Sequence, residues 1–170
     1  FPTRRSSDLA MTIVLNPLIN SYKRLVPDYE APIYIAWSAK NRSPLIRVPS
    51  SRGSSTRIEL RSADPSANPY LALALCLEAG LDGIERELTP PAPVDKNIFE
   101  MSQRELKRTG IRSLPTNMFD AISKFEKDKF IQSVLGSHIC SKYIEAKKKE
   151  WNEYSQRVSS WEIDTYLSKY

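Results

Sequence analysis

From Pro32 to Arg61 the chain reads PIYIAWSAKNRSPLIRVPSSRGSSTRIELR, and this stretch decides the fold. Pro32–Ser38 is rich in aromatic and β-branched residues, while Leu45–Val48 and Thr56–Arg61 alternate apolar with charged positions, so three strands are expected. Asn41-Arg42-Ser43-Pro44 and the Ser/Arg/Gly run from Ser50 to Ser55 read as loops between them. Period-2 geometry places Arg57, Glu59 and Arg61 on one face and Ile58 and Leu60 on the other. Taken alone, two guanidiniums flanking one carboxylate describe a solvated strand face. Together, however, Arg24, Arg42, Arg47, Arg57 and Arg61 are more cations than one surface strand needs. Planar guanidinium forks match carboxylate and phosphate oxygens two at a time, which points to a ligand carrying both groups. Glu59 is then a candidate ligand for a hard divalent cation, which prefers carboxylate oxygen.

Outward from this stretch the text turns helical. Asp64 to Pro69 reads as a turn opening a helix, with Pro69 tolerated in the first turn. Leu71, Leu75, Leu77, Leu81, Ile84 and Leu88 make this helix apolar on nearly every side, so burial between layers is expected. Pro90-Pro91-Ala92-Pro93 forms a stiff connector. Phe119, Ile122 and Phe125 have helical spacing, and Ser137–Val158 reads as a long amphipathic helix through Ile139, Tyr143, Ala146, Glu150 and Tyr154. Ser159 with Glu162 fits a capping box that opens a last short helix. Phe1–Leu9, FPTRRSSDL, has no hydrophobic period and reads as a foreign leader, leaving residues 10–170 as the domain.

At 170 residues the chain suits one domain, and its 41% hydrophobic and 26% charged content is that of a soluble globular protein. No apolar run approaches the roughly 20 residues that span a bilayer, which excludes a membrane helix. Cys76 and Cys140 stand apart, suggesting neither a zinc spacing nor a disulfide framework, so a reducing cytoplasm is expected. His138, the single histidine, reads as structural. The net charge of +5 is uneven: residues 1–66 hold 10 Lys/Arg against 5 Asp/Glu, while residues 67–170 hold 15 against 15. Those early cations are mostly single arginines, unlike the lysine-rich runs that follow a nucleic-acid backbone, so a small anionic ligand is expected and a nucleic acid is not.

Asn16-Pro17-Leu18-Ile19-Asn20-Ser21-Tyr22-Lys23-Arg24-Leu25-Val26-Pro27 resembles the NPxxNSYKRLVPGYEAP signature of bacterial type I glutamine synthetases. Ser38-Ala39-Lys40-Asn41-Arg42-Ser43 is similar to that family's SARNRS. Arg57–Arg61 is similar to its metal-and-substrate strand, and Pro65–Leu71 to its PDPSANPYL segment. The resemblance covers residues 10–170 and implies the C-terminal part of the catalytic domain. The implied fold is α+β, glutamine synthetase/guanido kinase-like: an antiparallel sheet carrying the active-site face, covered by helices, with a helical C-terminal region.

The same resemblance implies the site. Arg24, Glu30, Arg42 and Arg61 would bind glutamate, with Glu30 and Arg42 catalytic and Glu30 on the flap that closes the site. Arg42, Arg47 and Arg57 would face the phosphates of ATP, and Glu59 would be one ligand of Mg2+ or Mn2+. The implied reaction forms a γ-glutamyl phosphate from glutamate and ATP, which ammonia converts to glutamine. The implied assembly is a dodecamer of two hexameric rings, open to regulatory proteins. Alternatives are a γ-glutamyl-polyamine ligase of the same superfamily and a non-catalytic basic binding module. Two positions depart from the family pattern: Asp28 stands where PGYEAP has glycine, and Phe99 stands where some members carry a modified tyrosine. The remaining metal ligands of the family, several glutamates and a histidine, find no counterpart here, so Glu59 alone would not hold catalytic magnesium.

Overall fold

The computed structural model describes residues 7–27, 29 and 31–169. Its centre is helix α1 (Ser7–Leu15), in which every residue but Leu9 is buried. It begins at Ser7, inside the stretch expected to be a foreign leader. Helix α5 (Met118–Lys127) packs on it through Met118, Ala121, Ile122 and Phe125, the i, i+3, i+4, i+7 spacing of one helical face. That face is rotated from the one expected, since Phe119 is exposed and its ring lies 6.1 Å from that of Trp151.

Helix α6 (Lys129–Ser155) is two helical pieces joined at Gly136, whose φ of 76° and ψ of 159° leave the helical region. Only glycine adopts that conformation readily, because it has no Cβ to meet the backbone. The second piece thus starts at Ser137, as the sequence suggests. Its inward residues include Cys140, Tyr143 and Trp151, whereas Ile139 and Tyr154 are exposed. Tyr143 donates its hydroxyl to the Ile13 carbonyl at 2.8 Å, and Lys147 donates to the Pro17 carbonyl at 2.6 Å, which ties α6 to α1 and the turn after it. Helix α7 (Ser160–Tyr166) opens on the expected box: Ser159 N–H donates to Glu162 Oε2 at 2.7 Å, and Glu162 N–H returns to Ser159 Oγ.

Among the described residues the sheet has four strands in the order β3-β2-β1-β4: β1 (Tyr34–Ser38), β2 (Pro44–Arg47), β3 (Glu59–Leu60) and β4 (Arg112–Ser113). The α+β class is as expected, but the sheet is mixed instead of antiparallel: β1 runs parallel to β2, and the outer pairs β2–β3 and β1–β4 are antiparallel. A parallel pair usually needs a long crossover. Here residues 39–43 alone carry the chain back, and polar side chains brace the return. Ser38 Oγ accepts from the Lys40 and Asn41 N–H groups at 3.1 and 3.0 Å. Asn41 Oδ1 accepts from the Ser43 N–H at 3.0 Å, and Ser43 Oγ accepts from the Ile98 N–H at 3.2 Å. The third expected strand, residues 56–61, is ordered as β only at Glu59–Leu60, and Gly53–Ser55 forms a 3-10 turn before it.

Helix α3 (Pro69–Glu85) starts on Asn68, whose side chain caps the Tyr70 and Leu71 N–H groups, with Pro69 in the first turn. It is not buried on all sides. Leu75, Ala79 and Gly83 face inward, while Tyr70, Leu73, Leu77, Leu81 and Ile84 are exposed. Of the elements described, only α1 and α6 pack extensively against it, so just one of its apolar faces is covered. Two further α-helices among the described residues are α2 (Ile19–Arg24) and α4 (Gln103–Thr109). The latter is capped by a Ser102–Glu105 box. Among the described residues, no helix is long and apolar enough to cross a membrane.

Candidate active site

The antiparallel β2–β3 pair sets Arg47 directly across from Glu59. Arg47 Nε lies 2.8 Å from Glu59 Oε2, and its terminal nitrogen donates to Oε1 at 2.9 Å. Arg57, just before β3, adds Nε at 3.0 Å and a terminal nitrogen at 2.8 Å to the same Oε1. Two guanidiniums thus do flank one carboxylate, but they are Arg47 and Arg57, not Arg57 and Arg61. The alternation reading found Arg57 but not Arg47, which comes from the neighbouring strand. The Arg47 hydrogen bonds, followed by those of Arg57, outweigh burial and hold the Glu59 carboxyl below its ordinary value.

Arg61 follows β3 and continues its ladder, donating its N–H to the Leu45 carbonyl at 2.9 Å. Its guanidinium reaches the Arg42 carbonyl, at the return between β1 and β2. The side chain of Arg42 is exposed there. Arg24, at the end of α2, donates one terminal nitrogen to Asn16 Oδ1 and to the Ser62 carbonyl, both at 2.8 Å, while its Nε is buried without a hydrogen-bond partner. Glu30 and Asp28 lie outside the described residues. The structure therefore brings Arg47, Arg57 and Glu59 together with Arg61 beside them, joins Arg24 to this group through the backbone at Ser62, and links Arg42 to it only through its carbonyl.

Two acids missed in the sequence hold this frame. Asp64 accepts from the Ser21 hydroxyl and from the Ser66 hydroxyl and N–H, the last at 2.7 Å. Its own N–H donates to the Leu15 carbonyl at 2.9 Å. Burial would raise its carboxyl, but the Ser21 and Ser66 hydrogen bonds prevail and lower it. Asp95 accepts from Ser38 Oγ at 2.8 Å and so braces the return that carries Arg42. Only the Asp64-Pro65 turn signal pointed to the first, and nothing local marked the second.

The arrangement suits oxyanions, with the Arg47 and Arg57 guanidiniums on the Glu59 carboxylate and Arg61 two residues further along. It does not by itself suit a divalent cation. Glu59 is engaged by two arginines, and among the described residues no three His, Cys, Asp or Glu side chains form a group that could hold a metal.

Residues 7–166 match the family described as glutamine synthetase, catalytic domain. The chain belongs to this family. It is 57% identical over 159 residues to the glutamine synthetase of Staphylococcus aureus (strain MW2) and 56% identical to that of Staphylococcus epidermidis (strain ATCC 12228). Each match covers 94% of this chain and 36% of the relative, so the chain spans about a third of the length of those proteins. Among solved structures it is similar to GmaS without ligand, at 34% identity and a TM-score of 0.78, covering 94% of this chain and 35% of that one. It is also similar to a GmaS/ADP complex, at 33% identity and a TM-score of 0.80, covering 95% of this chain and 37% of that one.

Proposed function

We propose that this chain carries the arginine side of the active site of an ATP-dependent ligase, which makes glutamine from glutamate and ammonia by way of γ-glutamyl phosphate. The observation that carries this reading is the Arg47–Glu59–Arg57 cluster with Arg61 beside it, in a chain of this family. Arg47 and Arg57 meet the phosphates of ATP, and Arg42 meets the transferring phosphoryl group. Arg24 and Arg61 hold the carboxylates of glutamate, with Glu30 in the closing flap. In the first step a γ-carboxylate oxygen bonds to the terminal phosphorus while the bond to ADP breaks. In the second, the nitrogen of ammonia bonds to the γ-carbon, phosphate leaves, and a proton passes from the nitrogen to Glu30. The arginines favour both steps by balancing charge on the phosphoryl oxygens, in positions already set by the sheet.

Divalent-cation chemistry belongs to the whole protein. Glu59 would supply at most one oxygen to it, and the described residues offer no complete site. In the full-length protein we place the enzyme in the cytoplasm, as a dodecamer of two hexameric rings.

The test is a crossed kinetic pattern in the full-length protein supplied with glutamate, ATP and ammonia. Arg61→Lys is expected to raise the KM for glutamate and leave that for ATP nearly unchanged, because one ammonium cannot reproduce a two-pronged grip on a carboxylate. Arg47→Lys is expected to do the reverse. Equal effects of both variants on both substrates would overturn the assignment. Putrescine replacing ammonia as the better acceptor would overturn the product.

A further inference from the structure

A cavity of about 660 Å³ opens beside β1, between the sheet, α4 and the proline connector. This is the size of a site for a small organic molecule. None of Arg24, Arg42, Arg47, Arg57 or Arg61 lines it. The connector is strapped to the strand, since Trp37 Nε1 donates to the Pro91 carbonyl at 2.7 Å and the Val94 N–H to the Trp37 carbonyl at 2.9 Å. Trp37, Pro91 and Pro93 therefore give the cavity flat apolar walls, and Ile35, Ile46 and Met101 add to its apolar surface.

Its charges are unbalanced. Among the described residues, Lys96, Arg108 and Arg112 line it against a single acid, Glu105. That acid is already engaged: Glu105 Oε2 accepts from the Ser102 N–H at 2.8 Å and from the Ser102 hydroxyl at 2.7 Å. An anionic head group in the cavity would balance these cations, and Arg112 carries the planar fork that matches a carboxylate.

We propose that this cavity binds a small aromatic carboxylate, its ring against Trp37 and the prolines and its carboxylate on Arg112. The walls select a flat apolar body, and the excess of cations selects an anionic head.

The test titrates 2-naphthoate into the 170-residue chain and follows backbone amides by 15N NMR. Saturation at one equivalent is expected, with the largest shifts at Trp37, Val94, Gly110 and Arg112. The neutral 2-naphthamide should bind about tenfold more weakly or worse, the loss of one charge-assisted contact. Arg112→Gln should remove the difference between acid and amide. Absence of saturation, shifts centred on α3, or equal affinity for acid and amide in the unsubstituted chain would each overturn the proposal. The last comparison needs no variant, so it decides even if Arg112→Gln does not fold.

Discussion

Arg47 grips Glu59 with two nitrogens across the β2–β3 pair, and Arg57 reaches the same carboxylate from the side. The carboxylate therefore acts as a spacer that keeps two like charges close and aimed. Removing it should loosen both arginines. In the full-length enzyme, Glu59→Gln is expected to raise the KM for ATP by about tenfold, with a smaller effect on glutamate. Steady-state kinetics with each substrate varied in turn checks this, and an unchanged KM for ATP would detach the cluster from the nucleotide.

Because Glu59 is already ion-paired and no further acid joins it in a metal-holding group among the described residues, Mg2+ should do little to this chain. Any ion that bound the native state preferentially would raise its apparent stability. The thermal midpoint of the 170-residue chain is expected to stay level up to several millimolar Mg2+. A rise that saturates with Mg2+ would show that a cation site is present after all.

The pH dependence of stability follows from carboxyls held low in the native state. Arg47 does this to Glu59, and capping contacts from Ser102 and Ser159 do it to Glu105 and Glu162, each against an ordinary value of 4.5. A depressed native value gives stability that is fully present above the unfolded value and is lost as pH falls through the native one. Urea midpoints should therefore be flat from about pH 7 to 5 and fall below about pH 4.5. Glu105→Gln and Glu162→Gln should make that fall shallower. A midpoint unchanged down to about pH 3 would contradict the assignment.

Gly136 separates the two pieces of α6 at a φ of 76°. Space is not the obstacle, since a Cβ built there meets nothing within 4 Å. The backbone is. Gly136→Ala is expected to lower stability by roughly 1–3 kcal/mol, read from urea unfolding. A neutral result would mean that the two pieces fuse into one straight helix.

Along α3, Leu73 and Leu77 are 69% and 63% exposed, in line with Tyr70, Leu81 and Ile84. A continuous apolar stripe of this kind favours self-association. The double change Leu73→Glu with Leu77→Glu should raise the concentration at which light scattering appears. It should alter the unfolding free energy by less than about 0.5 kcal/mol per site, as surface substitutions usually do. Unchanged scattering would clear the stripe.

Features governed by near neighbours were legible in the sequence. Pro69 after Asn68, and Ser159 three residues before Glu162, announce helix starts because capping is decided within one turn. The arginines of the candidate site were legible as a group through their number and the motifs around them. Strand direction was not: alternation tells which face a residue occupies, and Ile46 would alternate equally well in a parallel or antiparallel pair. One partner of Glu59 was missed for a related reason, since Arg47 comes from a neighbouring strand and no spacing rule reports it, whereas Arg57 was legible. The exposure of Leu77 was also illegible, because an all-round apolar helix signals burial without saying what covers it.

The short return between β1 and β2 bears on how the chain reaches its fold. Parallel strands ordinarily pair late, since their ends must be brought together from far apart along the chain. Tyr34 meets Pro44 and Ser38 meets Arg47, partners only nine or ten positions away, so the entropy of closure is small. The segment that presents Arg42 and Arg47 can thus act as a folding nucleus, assembled before the distant α5 and α6 arrive. Substitutions at Ser38 or Asn41 would then slow folding more than they speed unfolding, and a chevron analysis would locate the rate-limiting event in the same thirty residues that carry the arginines.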